Sequence, residues 1–272
     1  MFKTLATVLK DNWDWRAQIG RLAVFELVKR SRGAMLSWAW FFVRPAIYIF
    51  CFWFALEIGL RATKTMGLDS GVPYIIWLSS GLIPWFFMQE FLGAGTEVLK
   101  HFSYLVTKIK FPISAIPTIH AVSVFIIHLM LMACLFVMYA IAGLPWDIYL
   151  LQVPLIMILM FVFWDAFSML ISHLSAFSKD VSNLVKALAT PMFWLSGIIF
   201  DLSMINIDWI QGLMDFNPVT TYVTVMRDAM CYKTWFWDDP GVLMGFVIVF
   251  IVTVVLSLFV YHRFNKEVSD VL

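Results

Sequence analysis

Residues 242–261 read VLMGFVIVFIVTVVLSLFVY, an apolar run without a charged residue, preceded by Asp238 and Asp239 and followed by Arg263. A helix rising about 1.5 Å per residue carries such a run across roughly 30 Å of hydrocarbon. The stretch is read as a membrane span, and it sets the terms for the rest of the chain.

Similar runs recur upstream, at about residues 38–60, 74–99, 113–142, 150–177 and 188–200. The fifth is short unless residues 184–187 belong to it. Overall 62% of residues are hydrophobic and 14% charged, against about half and a quarter in an ordinary soluble domain. The fold class expected is an all-α polytopic membrane protein with six transmembrane helices. Residues 1–37 form an N-terminal segment, 38–262 the transmembrane domain and 263–272 a tail. Between 201 and 240 the apolar pieces 209–214 and 219–230 are broken by Asn217-Pro218 and several acids. Pieces of that length suit short re-entrant or interfacial helices.

Lys and Arg are distributed unevenly among the connections. Residues 1–37, 100–112, 178–186 and the tail carry seven, three, two and two; the intervening connections, which include Arg61, Lys64, Arg227 and Lys233, carry four. The positive-inside rule then places both termini in the cytoplasm. It also puts the basic stretch KHFSYLVTKIKFP, residues 100–112, and the 178–186 loop inside, and 201–240 outside. In the N-terminal segment Val24, Leu27 and Val28 share one helical face, with Glu26, Lys29 and Arg30 opposite. That pattern fits an amphipathic helix on the membrane surface; a solvated basic tail is the alternative.

Composition excludes several functions. A net charge of +1 says nothing in itself of a nucleic-acid partner, and none is expected. Cys51, Cys134 and Cys231 are far apart, with no C-x-x-C, so neither a disulfide framework nor a metal site is expected. No G-x-x-x-x-G-K-[ST] occurs, so any ATP must be bound by another chain. No apolar h-region marks a cleaved signal peptide in the first 37 residues.

Polar residues inside the spans need a reading. His120 and His128, and Asp165 and His173, could build an intramembrane enzyme. H-E-x-x-H is absent, however, and an eight-residue spacing sets the members of each pair about 80° apart on a helix. Interhelical hydrogen bonding is the simpler role. A proton-coupled carrier would want more deep acids than Asp165. Trp38, Phe41, Pro45, Tyr48 and Phe52 line one face of the first span, and Trp85 and Phe86 lie on the second. These aromatics either pack and meet lipid or offer ring faces on which sugars slide.

Five stretches in order carry a resemblance: residues 21–61 (RLAVFELVKRSRGAMLSWAWFFVRPAIYIFCFWFALEIGLR), 71–99 (GVPYIIWLSSGLIPWFFMQEFLGAGTEVL), 104–117 (YLVTKIKFPISAIP), 177–200 (FSKDVSNLVKALATPMFWLSGIIF) and 216–239 (FNPVTTYVTVMRDAMCYKTWFWDD). Together they resemble the permease subunits of ABC-2 type polysaccharide exporters, especially teichoic acid exporter permeases. The resemblance implies a transport subunit of the bacterial cytoplasmic membrane rather than an enzyme. It would pair with a second copy of itself and with two ABC ATPase subunits that hold ATP and Mg. Residues 100–112 would be the coupling helix, with Phe102, Tyr104, Leu105, Lys108 and Lys110, joined by Lys179 and Asp180, turned toward the ATPase. Trp38, Phe41, Arg44, Tyr48, Phe52, Trp85 and Phe86 would line the pathway, and Asn217, Pro218, Tyr222 and Arg227 would form the outer gate. The cargo implied is an undecaprenyl-linked, teichoic acid-like polymer, with O-antigen, capsular polysaccharide, or a small lipid or drug as alternatives. Arg44 departs from the pattern, which has a neutral residue before the proline.

Overall fold

A computed structural model describes residues 1–32, 37–61, 63, 71–205 and 207–271, and every regular element among them is helical. Hydrocarbon offers no water to backbone N–H and C=O groups, and helices satisfy these groups internally. Five stretches of the described residues are long and apolar enough to cross a membrane: Ser37–Gly59, Tyr74–Ile109, Ile113–Ile141, Ile148–Phe177 and Pro240–Val268. Lys64, one of the cations in the charge count, lies outside the described residues, as do residues 33–36.

In chain order the helices are α1 (Phe2–Asp14), α2 (Arg16–Ser31), α3 (Trp40–Trp53), α4 (Tyr74–Leu92), α5 (Val98–His101), α6 (Ser103–Ile109), α7 (Ile116–Ile141), α8 (Gln152–Phe177), α9 (Lys179–Leu195), α10 (Asp208–Met214), α11 (Pro218–Arg227) and α12 (Pro240–Val271). The expected fifth span differs from what forms. Helix α9 begins at Lys179 and ends at Leu195, a length of 17 residues. The expected loop at 178–186 is its opening turns. Ser178 Oγ accepts from the Asp180 amide at 3.2 Å, and Asp180 adds negative charge where the helix dipole favours it. Beyond α9 the chain folds back at Gly197, whose φ of 68° an L side chain rarely adopts.

Helix α4 is the hub. Most of its residues are buried, whereas none of Ser37–Gly59 is. It packs against α3, α7, α9 and α11, while the most extensive pairing joins α8 to α12. Helix α3 leans on α4 at one edge of the bundle. Past Leu92 the backbone breaks at Gly93, and Ala94–Glu97 continue as a tighter 3-10 turn. The carbonyls released by this break are taken up by serines of α8. Ser168 Oγ donates to the Gly95 carbonyl at 2.9 Å, and Ser175 Oγ donates to that of Thr96. Thr96 Oγ1 also meets Ser182 Oγ at 2.8 Å. Small hydroxyl residues thus allow close approach and satisfy the freed groups.

The N-terminal helices join the bundle through a second apolar cluster, where Ile19, Ala23, Phe102, Leu105, Phe111 and Ile116 are buried together. The buried face of α2 is Ile19, Ala23 and Leu27, at i, i+4 and i+8. This corrects the face drawn from Val24, Leu27 and Val28: Val24 is exposed, and Glu26, expected on the polar side, is buried. Its carboxylate stays inside because it has partners, His101 at 3.3 Å and Arg30 at 3.6 Å.

A candidate substrate groove and coupling face

A cavity of about 960 Å³ opens between α3, α4, α7 and α9, at the upper end of volumes that hold small ligands. Trp40, Phe41, Tyr48 and Phe86 supply aromatic walls. Tyr48 meets the Phe86 ring edge-on at 5.6 Å and the Phe193 ring at 6.1 Å, so the wall is held from behind. Polar lining comes from Arg30, Arg44, Gln89, Glu90, His128, Lys186 and Thr190.

The seven expected pathway residues divide. Phe41, Arg44, Tyr48 and Phe86 line the cavity. Trp38, Phe52 and Trp85 are not among its lining residues. Trp85 is buried against Phe193 at 5.5 Å, and Phe52 packs on the same ring at the same distance. Trp38 meets Phe41 edge-on at 5.6 Å. The helical period identified one face of the first span but not which neighbour each ring would meet. Trp40 escaped the sequence reading because it lies off the 3-4-3-4 stripe. Arg30, Glu90, His128 and Lys186 were also missed as lining, because three of them come from elements whose packing on this wall is a tertiary fact.

Charge around the groove is mostly paired. Arg30 Nη1 donates to Glu90 Oε2 at 2.9 Å, and its Nη2 lies 3.4 Å from His120 Nδ1. Lys186 holds Glu97 at 2.8 Å. Arg44 has no carboxylate within ion-pairing distance among the described residues. Its guanidinium lies 5.6 Å from the Trp40 ring centroid, within cation–π range.

The basic stretch after α4 forms two short helices, α5 and α6. Lys110 ends α6 in the left-handed conformation with φ of 55°, and the Phe111 amide donates back to the Leu105 carbonyl at 3.1 Å, a Schellman-type stop. Phe102 and Leu105 are 3% and 1% exposed, whereas Tyr104 is 41% exposed. Lys108, Lys110, Lys179 and Asp180 also face outward. Phe102 and Leu105, expected among the coupling contacts, are therefore anchors that fix the segment to α2 and α7. The alternation follows helical spacing, in which neighbours along the chain cannot share a face.

At the opposite end of α4, the expected gate residues act as fasteners. Asn217 caps α11, accepting from the Val219 amide at 3.0 Å and donating to Ser196 Oγ at 2.8 Å. Pro218 takes the first helical position, where no donor is missed. The Tyr222 hydroxyl donates to the Leu159 carbonyl at 3.0 Å. Arg227 donates to the carbonyls of Gly197 at 2.7 Å and Ile198 at 2.5 Å. Burial draws its pKa down to about 10, which leaves it charged at neutral pH.

The residues proposed for an enzyme sit in separate surroundings. His128 packs on Phe87 and Phe125, Asp165 Oδ2 accepts from Thr118 at 3.0 Å, and His173 meets the Met169 carbonyl and the Tyr261 ring. Among the described residues no group of three His, Cys, Asp or Glu could hold a metal ion.

Comparison with known proteins agrees with a transport architecture. Over 261 residues the chain is 23% identical to a Myxococcus xanthus protein named O-antigen export system permease protein RfbA, covering 94% of this chain and 96% of that one. A Klebsiella pneumoniae protein of the same name is 24% identical over 254 residues, covering 91% and 92%. The family described as ABC-2 type transporter matches residues 17–231. With most of its 272 residues inside that match, the chain belongs to the ABC-2 type transporter family and is an integral membrane transport subunit.

Proposed function

We propose that this chain is the permease of an ABC exporter that moves a lipid-linked cell-surface polysaccharide, of the O-antigen or capsular kind, out across the bacterial cytoplasmic membrane. The observation that carries the reading is the groove, walled by Trp40, Phe41, Tyr48 and Phe86 and lined with polar groups. Aromatic faces accept the C–H faces of sugar rings while polar side chains take their hydroxyls, a surface on which a polymer can slide. The teichoic acid-like cargo expected from sequence gives way to the O-antigen kind, because relatives that match nearly full length carry that name.

ABC-2 permeases work with an ABC ATPase, to which ATP and Mg belong. The exposed side chains Tyr104, Lys108, Lys110, Lys179 and Asp180 provide a docking face at the basic, cytoplasmic end. ATP-driven closure of two ATPase copies presses on α5 and α6. Phe102 and Leu105 pass the push to α2, and the Arg30–Glu90 pair carries it to the groove wall. A second copy of the chain covers α3, the edge helix, and encloses the pathway between protomers.

Depletion of the protein in its own cell is the test, with lipid-linked glycan assayed on each face of the membrane. Polymer accumulating on the inner side is expected. Unchanged surface glycan with no inner accumulation would sink the reading.

A further inference from the structure

Three cations line the groove: Arg30, Arg44 and Lys186. Two are committed, Arg30 to Glu90 at 2.9 Å and Lys186 to Glu97 at 2.8 Å. Arg44 has no such partner among the described residues. It is an exposed cation on the otherwise apolar helix α3, and a charge in such a stretch marks a functional position. Its guanidinium offers the planar fork that binds carboxylate or phosphate oxygens in pairs. A second observation concerns the same cavity. His128 lines it and is buried, with the backbone of Ile83 as a loose partner for one ring nitrogen, so the other nitrogen is able to serve a ligand hydroxyl.

We propose that Arg44 receives a singly charged acidic group of the glycan, a uronate carboxylate or a phosphodiester, so that the groove selects acidic saccharides over neutral ones. This deepens the polysaccharide reading of the groove and rests on it. One uncommitted positive charge balances one negative charge; a diphosphate would leave negative charge in excess beside Glu90. The rings of Phe41, Tyr48 and Phe86, which line the same cavity as Arg44, suit a sugar that bears the acid better than a bare headgroup.

The test uses purified full-length permease in phosphatidylcholine nanodiscs. The probes are an oligogalacturonate, the neutral oligosaccharide maltohexaose, undecaprenyl diphosphate, and discs doped with phosphatidylglycerol. The oligogalacturonate is expected to bind tighter than maltohexaose. Arg44→Gln should weaken oligogalacturonate by about tenfold or more, the worth of a charge-assisted contact. Maltohexaose binding should change far less than oligogalacturonate binding, the melting midpoint should stay in place, and Arg44→Lys should recover part of the loss. Equal oligogalacturonate binding by wild type and Arg44→Gln overturns the proposal. So does an Arg44 dependence found only for undecaprenyl diphosphate or phosphatidylglycerol, because Arg44 then meets lipid phosphate. Maltohexaose bound as well as oligogalacturonate overturns this proposal alone. Binding of neither oligosaccharide overturns the groove reading with it.

Discussion

Arg227 lies over Trp77, its guanidinium carbon 3.5 Å from the ring centroid, and this contact ties α11 to the start of the hub helix α4. Trp77 Nε1 in turn donates to the Tyr232 hydroxyl at 2.8 Å, which donates to Asp201 at 2.5 Å. The arrangement requires a glycine. A Cβ on Gly81 would stand 2.7 Å from Arg227 Nη2 and 3.1 Å from the Ile198 carbonyl. Gly81→Ala is expected to cost about 1–3 kcal/mol, as overpacking does, visible as a lower melting midpoint in detergent. An unchanged midpoint would mean that Arg227 has slack that the packing does not show.

Helix α6 should separate anchoring from docking. Leu105→Ala removes a buried side chain from the second apolar cluster and is expected to cost about 2–5 kcal/mol. Tyr104→Ala, exposed one residue earlier, should leave the melting midpoint in place and weaken co-purification of the partner ATPase. If Tyr104→Ala lowers the midpoint as far as Leu105→Ala, the face assignment is wrong.

Hydropathy made the long spans legible. Residues 242–261 could hardly do anything else, and the observed helix, Pro240–Val271, contains them. The break at Asn217-Pro218 was legible too, because a proline starts a helix where it cannot continue one. Helix α9 was not. Its opening turns carry Lys179, Asp180 and Lys186, which lower hydropathy below that of a span, although Ser178 at the cap announced the start. The groove was half legible for a different reason. Phe41 and Tyr48 follow from helical period on one element, whereas Arg30, His128 and Lys186 reach it only through the packing of α2, α7 and α9 around α4. Period assigns a face; it does not say which helix the face will meet.

Acidity should report on the segment that follows α11. Asp228 follows α11, outside the spans, and burial raises its carboxyl to about 7, with a hydrogen bond from Thr234 offsetting part of the effect. The folded state therefore keeps this proton over a window in which the unfolded chain has lost it, from about pH 4 upward. Stability contributed by the site is present at low pH, falls as pH rises toward 7, and levels off above. Asp215 is shifted the same way by burial and by Asp239, so the diagnostic quantity is a difference. Between pH 5 and 8 the wild-type midpoint should fall relative to Asp228→Asn. Parallel pH profiles would show that Asp228 is already ionised in the folded protein.

Arg30 occupies the point where α5 meets the groove. One side of its guanidinium holds Glu90 on the groove wall at 2.9 Å; its Nε faces Glu26, which also holds His101 at the end of α5. The Arg30–Glu90 pair is partly exposed and worth little, about 1 kcal/mol or less, and the buried Glu26 keeps His101 at 3.3 Å when Arg30 is replaced. Arg30→Gln should therefore leave folding and ATPase co-purification near wild type. What it should change is communication: stimulation of ATP hydrolysis by lipid-linked glycan should fall while basal hydrolysis persists. Glu90→Gln should produce the same loss, and the double variant should be no worse than either single one, since both cut the same link. Additive losses would assign Arg30 and Glu90 to separate tasks and remove this pair from the path between docking helix and groove.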